Sequence, residues 1–376
     1  MTIVINCWVL RQKKLDGIGF FTVNTISRII RNNPSVKFVI LCDKNYNENY
    51  FDFENVSYEK VFPPYRHPLL YFIFLEFVVP FVLKKIKPDV FVSAEGFLSL
   101  SSRFKQLPVI YDLNFEHFPE NIAFKNRIYF KFFFKRFAKK ANRIATISEY
   151  SKKDIIDFYG IAEKKIDNVS CGINSDFKSL NIEEINAAKI KFSEGKPYFF
   201  FIGSVHPRKN VNRLLQAFEK FKENTGSNFN LVIGGSMMWD NSEIIQTYES
   251  SKYKNNIKFI GRLSNEDLKL ALGAAYALAF VPVFEGFGLP IVEAFEANVP
   301  VLTSNVTSLP EVAGDAAIYA DPFSVDEITE GLTRLYKNEN GLIQELISKG
   351  KIQKMKFSWD KSASLLWDSI LKVANG

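Results

Sequence analysis

Cysteine is scarce in this 376-residue chain, which has only Cys7, Cys42 and Cys171. Their spacing offers neither a metal-ligand pattern nor a disulfide framework, and so favours a reducing compartment. No G-x-G-x-x-G follows the first strand of either half, and Gly17-Ile18-Gly19 is too short for that dinucleotide fingerprint. Long apolar runs are lacking as well. The longest nearly uncharged stretch, Pro68–Leu83, contains Glu76 and Pro80 and is shorter than the roughly 20 residues a membrane-crossing helix needs. The basic residues near the N-terminus follow the apolar run Thr2–Leu10 instead of preceding it, unlike a secretion signal. With no zinc-finger spacing, RNA-binding signature or clear helix-turn-helix pattern, the net charge of +7 does not argue for nucleic acid. It suits anionic lipid or a phosphorylated substrate instead. These absences predict a cytoplasmic protein, soluble or peripheral at the inner face of the membrane.

What is present is a strongly apolar globular chain, 47% hydrophobic, and long enough for two domains with separate cores. Phe is abundant at 37 residues, a bias that genome composition explains as readily as function. Strands are predicted at Thr2–Leu10, Val36–Asp43, Asp89–Ser93, Val109–Tyr111 and Arg143–Thr146, with a loop at Gln12–Gly19 and a helix from Phe20 to Arg31. The alternation restarts at Pro197–Ile202. Helix Val211–Glu223, strands Asn230–Ile233 and Ile257–Ile260, and helix Asn265–Ala275 come next. Strand Tyr276–Val281, helix Pro290–Ala297, strand Val299–Thr303 and helix Val325–Lys337 follow. Strand and helix in alternation imply parallel sheets. The polar stretch Gly172–Lys196 is expected to connect the halves, and no solenoid-type repeat is present.

The chemistry concentrates in Phe284-Glu285-Gly286-Phe287-Gly288-Leu289-Pro290-Ile291-Val292-Glu293. A buried strand runs into a glycine loop, and Pro290 sits where a first helical turn tolerates it. Strand, loop and helix N-terminus make an anion site, and two carboxylates eight residues apart can accept bonds from sugar hydroxyls. Capping acids on a surface helix are the plain alternative.

This segment resembles the E-x7-E signature of glycosyltransferase family four, retaining enzymes of GT-B fold. Gly203-Ser204-Val205-His206-Pro207-Arg208-Lys209-Asn210 resembles the same family's G-[ST]-x-x-P-R-K-N element. The resemblance spans about Thr2 to Val373. It implies two Rossmann-like domains facing across a cleft: an acceptor-binding domain at 1–180 and a nucleotide-sugar-binding domain at 190–356. The last helix, within 357–376, is expected to cross back to the first domain.

The resemblance also assigns roles. Arg208 and Lys209 would hold the leaving diphosphate, Glu285 the donor sugar, and Glu293 the ribose diol. Gly203, Ser204, Arg262, Leu263, Gly286, Phe287, Gly288 and Leu289 would complete the donor site, with Gly17 and Gly19 closing it. Tyr111-Asp112-Leu113 resembles an H-D-L element of one branch, with Tyr111 in place of its histidine; Asp112 matches, and His117 follows in the same loop. Thr146-Ile147-Ser148 opens the family's T-x-S-x-x-S-x-x-D element, where Ser148 is a helix cap, a ligand contact or both. Asp112, Arg208, Lys209 and Glu285 form the expected catalytic set, and Tyr111, His117 and Ser148 the substrate-binding set.

The implied reaction moves a hexose from GDP-mannose or a UDP-sugar, with retention, to a glycan or polyprenyl-linked acceptor of O-antigen or capsule. Front-face displacement assisted by the leaving phosphate is the preferred course. No metal or other cofactor is expected, because the donor loop has no obvious metal-ligand cluster. Two alternatives stay open: another GT-B enzyme such as a sugar-nucleotide epimerase or phosphorylase, and a catalytically silent binding homologue.

One further segment, Lys125–Ile144, places Phe130, Phe134, Phe137 and Ala141 on a core stripe. Lys131, Lys135, Arg136, Lys139 and Arg143 lie opposite, with Ile128, Tyr129 and Phe132 among them. Basic residues with interleaved aromatics suit an anionic bilayer surface, while a charged helix with a few exposed apolar residues fits equally well.

Overall fold

The computed structural model describes residues 1–11, 15–42, 50–62, 68–237 and 242–376. They form two compact units, Met1–Gly172 with Ser358–Gly376, and Ile173–Phe357.

In the first unit β1 (Thr2–Asn6), β2 (Lys37–Cys42), β3 (Val56–Lys60), β4 (Val90–Ser93) and β5 (Gln106–Pro108) form a parallel sheet ordered β3-β2-β1-β4-β5. Ile3, Val4 and Ile5 are all fully buried, so β1 reads as an unbroken apolar run because helices cover both of its faces. The strand expected at Val109–Tyr111 is instead a crossing point. Val109 N–H donates to Ser93 O at 2.8 Å, then Ile110 N–H donates to Ala145 O at 2.9 Å. The chain thus changes partners after Pro108, and β6 (Ile144–Thr146) with β7 (Ile166–Asn168) continues alongside.

Gly17-Ile18-Gly19 is not a loop before a helix at Phe20. It is the first turn of helix Gly17–Asn32, capped by Asp16, which accepts from the Gly19 amide at 2.9 Å. The last helix, Trp359–Asn375, packs on this one, and Arg28 Nε reaches Asp360 at 2.9 Å. A Cβ on Gly172 would lie 2.2 Å from the Trp359 amide nitrogen, so only glycine admits the helix there. Asp167 clamps its far end, accepting from Arg143 at 2.7 Å, Ser369 at 2.8 Å and Lys372 at 3.1 Å.

The helix expected over Lys125–Ile144 runs from Phe124 to Lys140, with Phe134 and Phe137 buried as foreseen. Tyr129 departs from the expectation: it is buried and stacked on Phe133 at 4.5 Å. Arg143 lies beyond the helix, bound to Asp167. Among the described residues no helix is long and apolar enough to cross a membrane.

In the second unit β8 (Tyr198–Ile202), β9 (Asn230–Gly234), β10 (Ile257–Gly261), β11 (Ala277–Phe280), β12 (Val301–Ser304) and β13 (Ala317–Ala320) form a parallel sheet ordered β10-β9-β8-β11-β12-β13. Phe199, Phe200 and Phe201 of β8 are fully buried, each contributing about 1.5–3 kcal/mol of burial. The polar stretch expected as a plain connection contains helix Ile182–Ser193, started by a capping box of Asn181 and Glu184 that secures both amides. Its buried Ala188 and Phe192 are too few for the apolar period to stand out among charges. In both sheets the strand order reverses beside the first strand, between β1 and β4 and between β8 and β11, which opens a crevice at the carboxyl ends.

Candidate active site

The second unit's crevice is built by the loops after β8 and β11, the two strands flanking its reversal. After β8, Gly203 takes φ +148° and its amide donates to Gly234 O at 3.0 Å. The loop after β9 presses against it so closely that a Cβ on Gly235 would lie 1.8 Å from Gly203 O. Gly235 was not anticipated; the Gly-Gly pair ending β9 was the available signal.

The chain then makes a short turn, Pro207–Lys209, whose first amide donor, Arg208 N–H, is taken by His206 Nδ1 at 3.2 Å. Asn210 ends the turn with φ +62° and is buried. Its amide donates to Val281 O at 2.9 Å and to Pro322 O at 2.7 Å, while Val283 N–H donates to Arg208 O at 2.9 Å. Asn210 therefore fastens the basic turn to the end of β11, a role its place in the motif did not reveal.

Arg208 and Lys209 both turn onto Glu285. Arg208 Nη1 donates to Glu285 Oε1 at 3.1 Å and to Phe284 O at 2.6 Å; Lys209 Nζ donates to the same carboxylate oxygen and lies 5.3 Å from the Phe280 ring centre. The Glu285 side chain is only 12% exposed. Burial pushes its carboxyl up, but the charges of Lys209 and Arg208 outweigh this and hold it below its ordinary 4.5. The loop after β12 supports this one. Thr307 Oγ1 accepts from Glu285 N–H at 3.3 Å, and Ser308 Oγ donates to Glu285 O at 3.0 Å and Phe287 O at 2.9 Å. Ser308 resembles a helix cap in sequence, yet its hydroxyl makes no cap bond.

Gly288, at φ +108°, begins helix Leu289–Glu296, with Pro290 in the first turn and no side-chain cap. Gly286 and Gly288 are buried in the loop, and Phe287 packs edge-on against Phe357 at 5.5 Å, so it can meet a ligand only through its backbone. Glu293, on the second turn, keeps part of its surface open although protein atoms surround most of it. Burial raises its carboxyl to about 7. Arg262 is exposed and Leu263 half-buried, directly after β10, where Gly235 N–H donates to Gly261 O at 2.7 Å. Ser204 is half-buried beside Gly203. Among the described residues no group of three or more His, Cys, Asp or Glu is placed to hold a metal.

The first unit's candidates gather at the carboxyl end of its own sheet, but most have structural partners. Asp112 Oδ1 accepts from Asn114 N–H at 3.0 Å and from its side-chain amide at 2.5 Å, closing an Asx turn. Tyr111 lies edge-on to Phe21 at 5.4 Å with its hydroxyl enclosed and without a hydrogen-bond partner among the described residues, and burial raises its ionisation well above its ordinary 10. Its hydroxyl therefore faces protein, contrary to the expectation of a group open to a sugar. His117 Nε2 lies 2.9 Å from both oxygens of Asp154. Ser148 caps helix Glu149–Tyr159 by accepting from Ser151 N–H at 3.0 Å, and Ser151 Oγ donates to Tyr111 O at 2.9 Å. The structure thus gives Ser148 the capping role, which is compatible with a ligand contact as well. The amide of Gly19 is taken by Asp16, whereas Gly17 is exposed.

Residues 16–177 match the sequence model described as Glycosyltransferase Family 4, and residues 182–353 the one described as Glycosyl transferases group 1. O-antigen chain mannosyltransferase B of Escherichia coli is 32% identical over 221 residues, 58% of each chain. O-antigen chain mannosyltransferase RfbU of Salmonella typhimurium is 28% identical over 218 residues, 58% of this chain and 57% of the relative. The chain thus spans less than two thirds of the length of these curated relatives. Anabaena HepE, solved in complex with UDP and glucose, superposes with a TM-score of 0.77 at 14% identity, covering 99% of this chain and 100% of its own. Two parallel sheets, each reversing its strand order beside its first strand, thus have the GT-B glycosyltransferase fold. Within that class the two matched models mark the chain as a family-four-like glycosyltransferase, and the O-antigen mannosyltransferases are among its relatives.

Proposed function

We propose that this chain is a retaining hexosyltransferase that takes its sugar from a nucleoside diphosphate donor, GDP-mannose or a UDP-sugar. The acceptor is a glycan or polyprenyl-linked oligosaccharide of a surface polysaccharide such as O-antigen or capsule. The observation that carries this reading is the convergence of Arg208 and Lys209 on one buried carboxylate at the point where the strand order reverses. Two fixed cations in a mostly buried loop are suited to the charge that grows on a departing diphosphate. When the diphosphate takes over those cations, Glu285 is freed to accept bonds from donor-sugar hydroxyls. Glu293, poised near neutrality, accepts from the ribose diol and becomes fully ionised as it does so.

The cations supply the charge that a divalent metal would otherwise bring, so the transfer is metal-independent. The departing phosphate removes the acceptor proton on the face it leaves, which retains the anomeric configuration. The alternative of a silent nucleotide-binding homologue draws on the enclosed Tyr111 hydroxyl. Incubation with a panel of nucleotide sugars and lipid-linked acceptors, with EDTA in a parallel series, tests both readings. Transfer that survives EDTA with retained configuration is expected. Nucleoside diphosphate binding without loss of donor would favour the silent homologue, and loss in EDTA reversed by magnesium would end the metal-independent scheme.

A further inference from the structure

The segment Pro68–Ile86 of the first unit is helical throughout but irregular: α-helix Pro68–Ile73, a π turn Phe74–Val78, then α-helix Val79–Ile86. Pro80 has no N–H for Glu76 O, four residues earlier, and the wider turn accommodates the ring. Ser101 Oγ donates to that carbonyl at 3.0 Å. The Glu76 carboxylate is turned back onto the amides of Leu100 and Ser101, at 2.8 Å each, so the segment's acid lies against its own fold. Phe77 and Phe81, four residues apart, point outward.

Helix Phe124–Lys140 carries a matching stripe, Phe124, Ile128 and Phe132, each four residues from the next. These five side chains are 52–70% exposed. An aromatic chain joins the two stripes: Phe77 to Phe72 at 6.1 Å, Phe72 to Phe133 at 6.0 Å, and Phe133 to Phe132 at 4.9 Å. At ~200 Å² per Phe, several hundred Å² of apolar surface lie open in one patch, at the upper end for a soluble monomer.

Charge indicates what covers it. Helix Phe124–Lys140 contains seven basic residues and no acid. Two of its cations sit on the exposed rings: Arg136 lies 3.7 Å from the centre of Phe132, and Arg127 lies 5.6 Å from that of Phe124. A guanidinium on an aromatic face, above an apolar stripe, places positive charge at the boundary between a hydrocarbon layer and its anionic headgroups. A protein partner would match the rings but has no intrinsic need for a helix wholly free of acids.

We infer that this two-helix face docks the chain onto an anionic bilayer, with Phe77, Phe81, Phe124, Ile128 and Phe132 entering the headgroup–acyl boundary and the cations of the second helix contacting phosphates. The segment thus lies on the membrane instead of crossing it. The inference does not depend on the donor chemistry proposed above, because its assay involves no turnover.

The full chain is sedimented with vesicles of phosphatidylcholine alone or mixed with phosphatidylglycerol, at low and high salt. It should pellet with the anionic vesicles and be largely released by salt. Phe77→Ser with Phe81→Ser should weaken partitioning about tenfold or more while leaving the unfolding temperature unchanged. Lys125→Glu with Lys131→Glu, at exposed positions, should weaken it by a similar factor and keeps the test open if the aromatic pair misfolds. Equal pelleting with both vesicle types, none with either, or indifference to both pairs of substitutions would overturn the inference. So would self-association through this face, seen as Phe-dependent dimers in sedimentation velocity without vesicle binding.

Discussion

The two units share a strand order and a crevice at the carboxyl ends of their strands, yet they treat the polar groups there differently. In the first unit Asp112, Ser148 and His117 bond to an Asx turn, a helix cap and Asp154. In the second, Arg208, Lys209 and Glu285 bond to one another, and the fastening is left to Asn210, Thr307 and Ser308. Where other residues do the fastening, charged side chains remain exchangeable for a ligand. On the function proposed above, the second crevice would trade an internal ion pair for a bound diphosphate without losing its shape.

The strongest way to break this comparison is to remove the exchangeable charges. Lys209→Ala and Arg208→Ala should each slow transfer by roughly 10²-fold or more, as fixed donors opposite developing charge are lost. Glu285→Ala should abolish transfer while nucleoside diphosphate binding, read by calorimetry, is kept or tightened, because the competing carboxylate is gone. Lost nucleotide binding in Glu285→Ala would show that this carboxylate positions the cations instead of yielding them.

Fastening residues should fail differently. Asn210→Ala leaves Val281 O and Pro322 O without their donor and should cost roughly 2–3 kcal/mol in denaturant unfolding. Thermal and chemical denaturation should show this loss without any nucleotide present.

Next in size is a pH effect. The Glu293 carboxyl, raised by burial to about 7, favours the protonated native state; its stabilisation is complete below 4.5 and is lost as pH rises through 7. The gap corresponds to at most about 3 kcal/mol. Nucleoside diphosphate affinity should run the other way, rising up to about tenfold between pH 6 and 8 as the ribose diol meets a carboxylate. Glu293→Gln should flatten both profiles, and an unchanged pH dependence of affinity in that variant would remove Glu293 from the ribose.

The smallest effect belongs to the first unit. His117→Gln should cost about 1 kcal/mol of stability, as for a partly exposed pair, and leave nucleotide affinity alone.

Legibility in the sequence followed the same division. Five of the six strands of the second sheet were readable to within a residue or two at most ends, because runs such as Phe199–Phe201 and Leu278–Phe280 are covered on both faces and unbroken, whereas β13, whose residues alternate between buried and half-buried, was missed. Strand β3 was missed since none of its residues is fully buried, and helix Ile182–Ser193 since it hides only a narrow stripe. Arg208, Lys209 and Glu285 were named from motifs, but their mutual pairing depends on a fold that joins residues more than 70 positions apart. Gly235, Asn210 and Ser308 escaped as site residues because each acts on backbone carbonyls or close approach, and sequence spacing carries no mark of either.

Gly172 and Trp359 carry a consequence for the order of synthesis. The first unit is interrupted by the whole Ile173–Phe357 unit, and the helix that covers Gly17–Asn32 and engages Asp167 emerges from the ribosome only after that unit has been made. At about 5–20 residues per second, the nascent first sheet waits on the order of ten to forty seconds with that helix seat open. Throughout that interval Phe21 lacks Trp359, its edge-on neighbour at 6.0 Å, and Asp167 has only Arg143 of its three clamp partners. A newly made chain thus shows its first sheet to chaperones and proteases until the helix arrives.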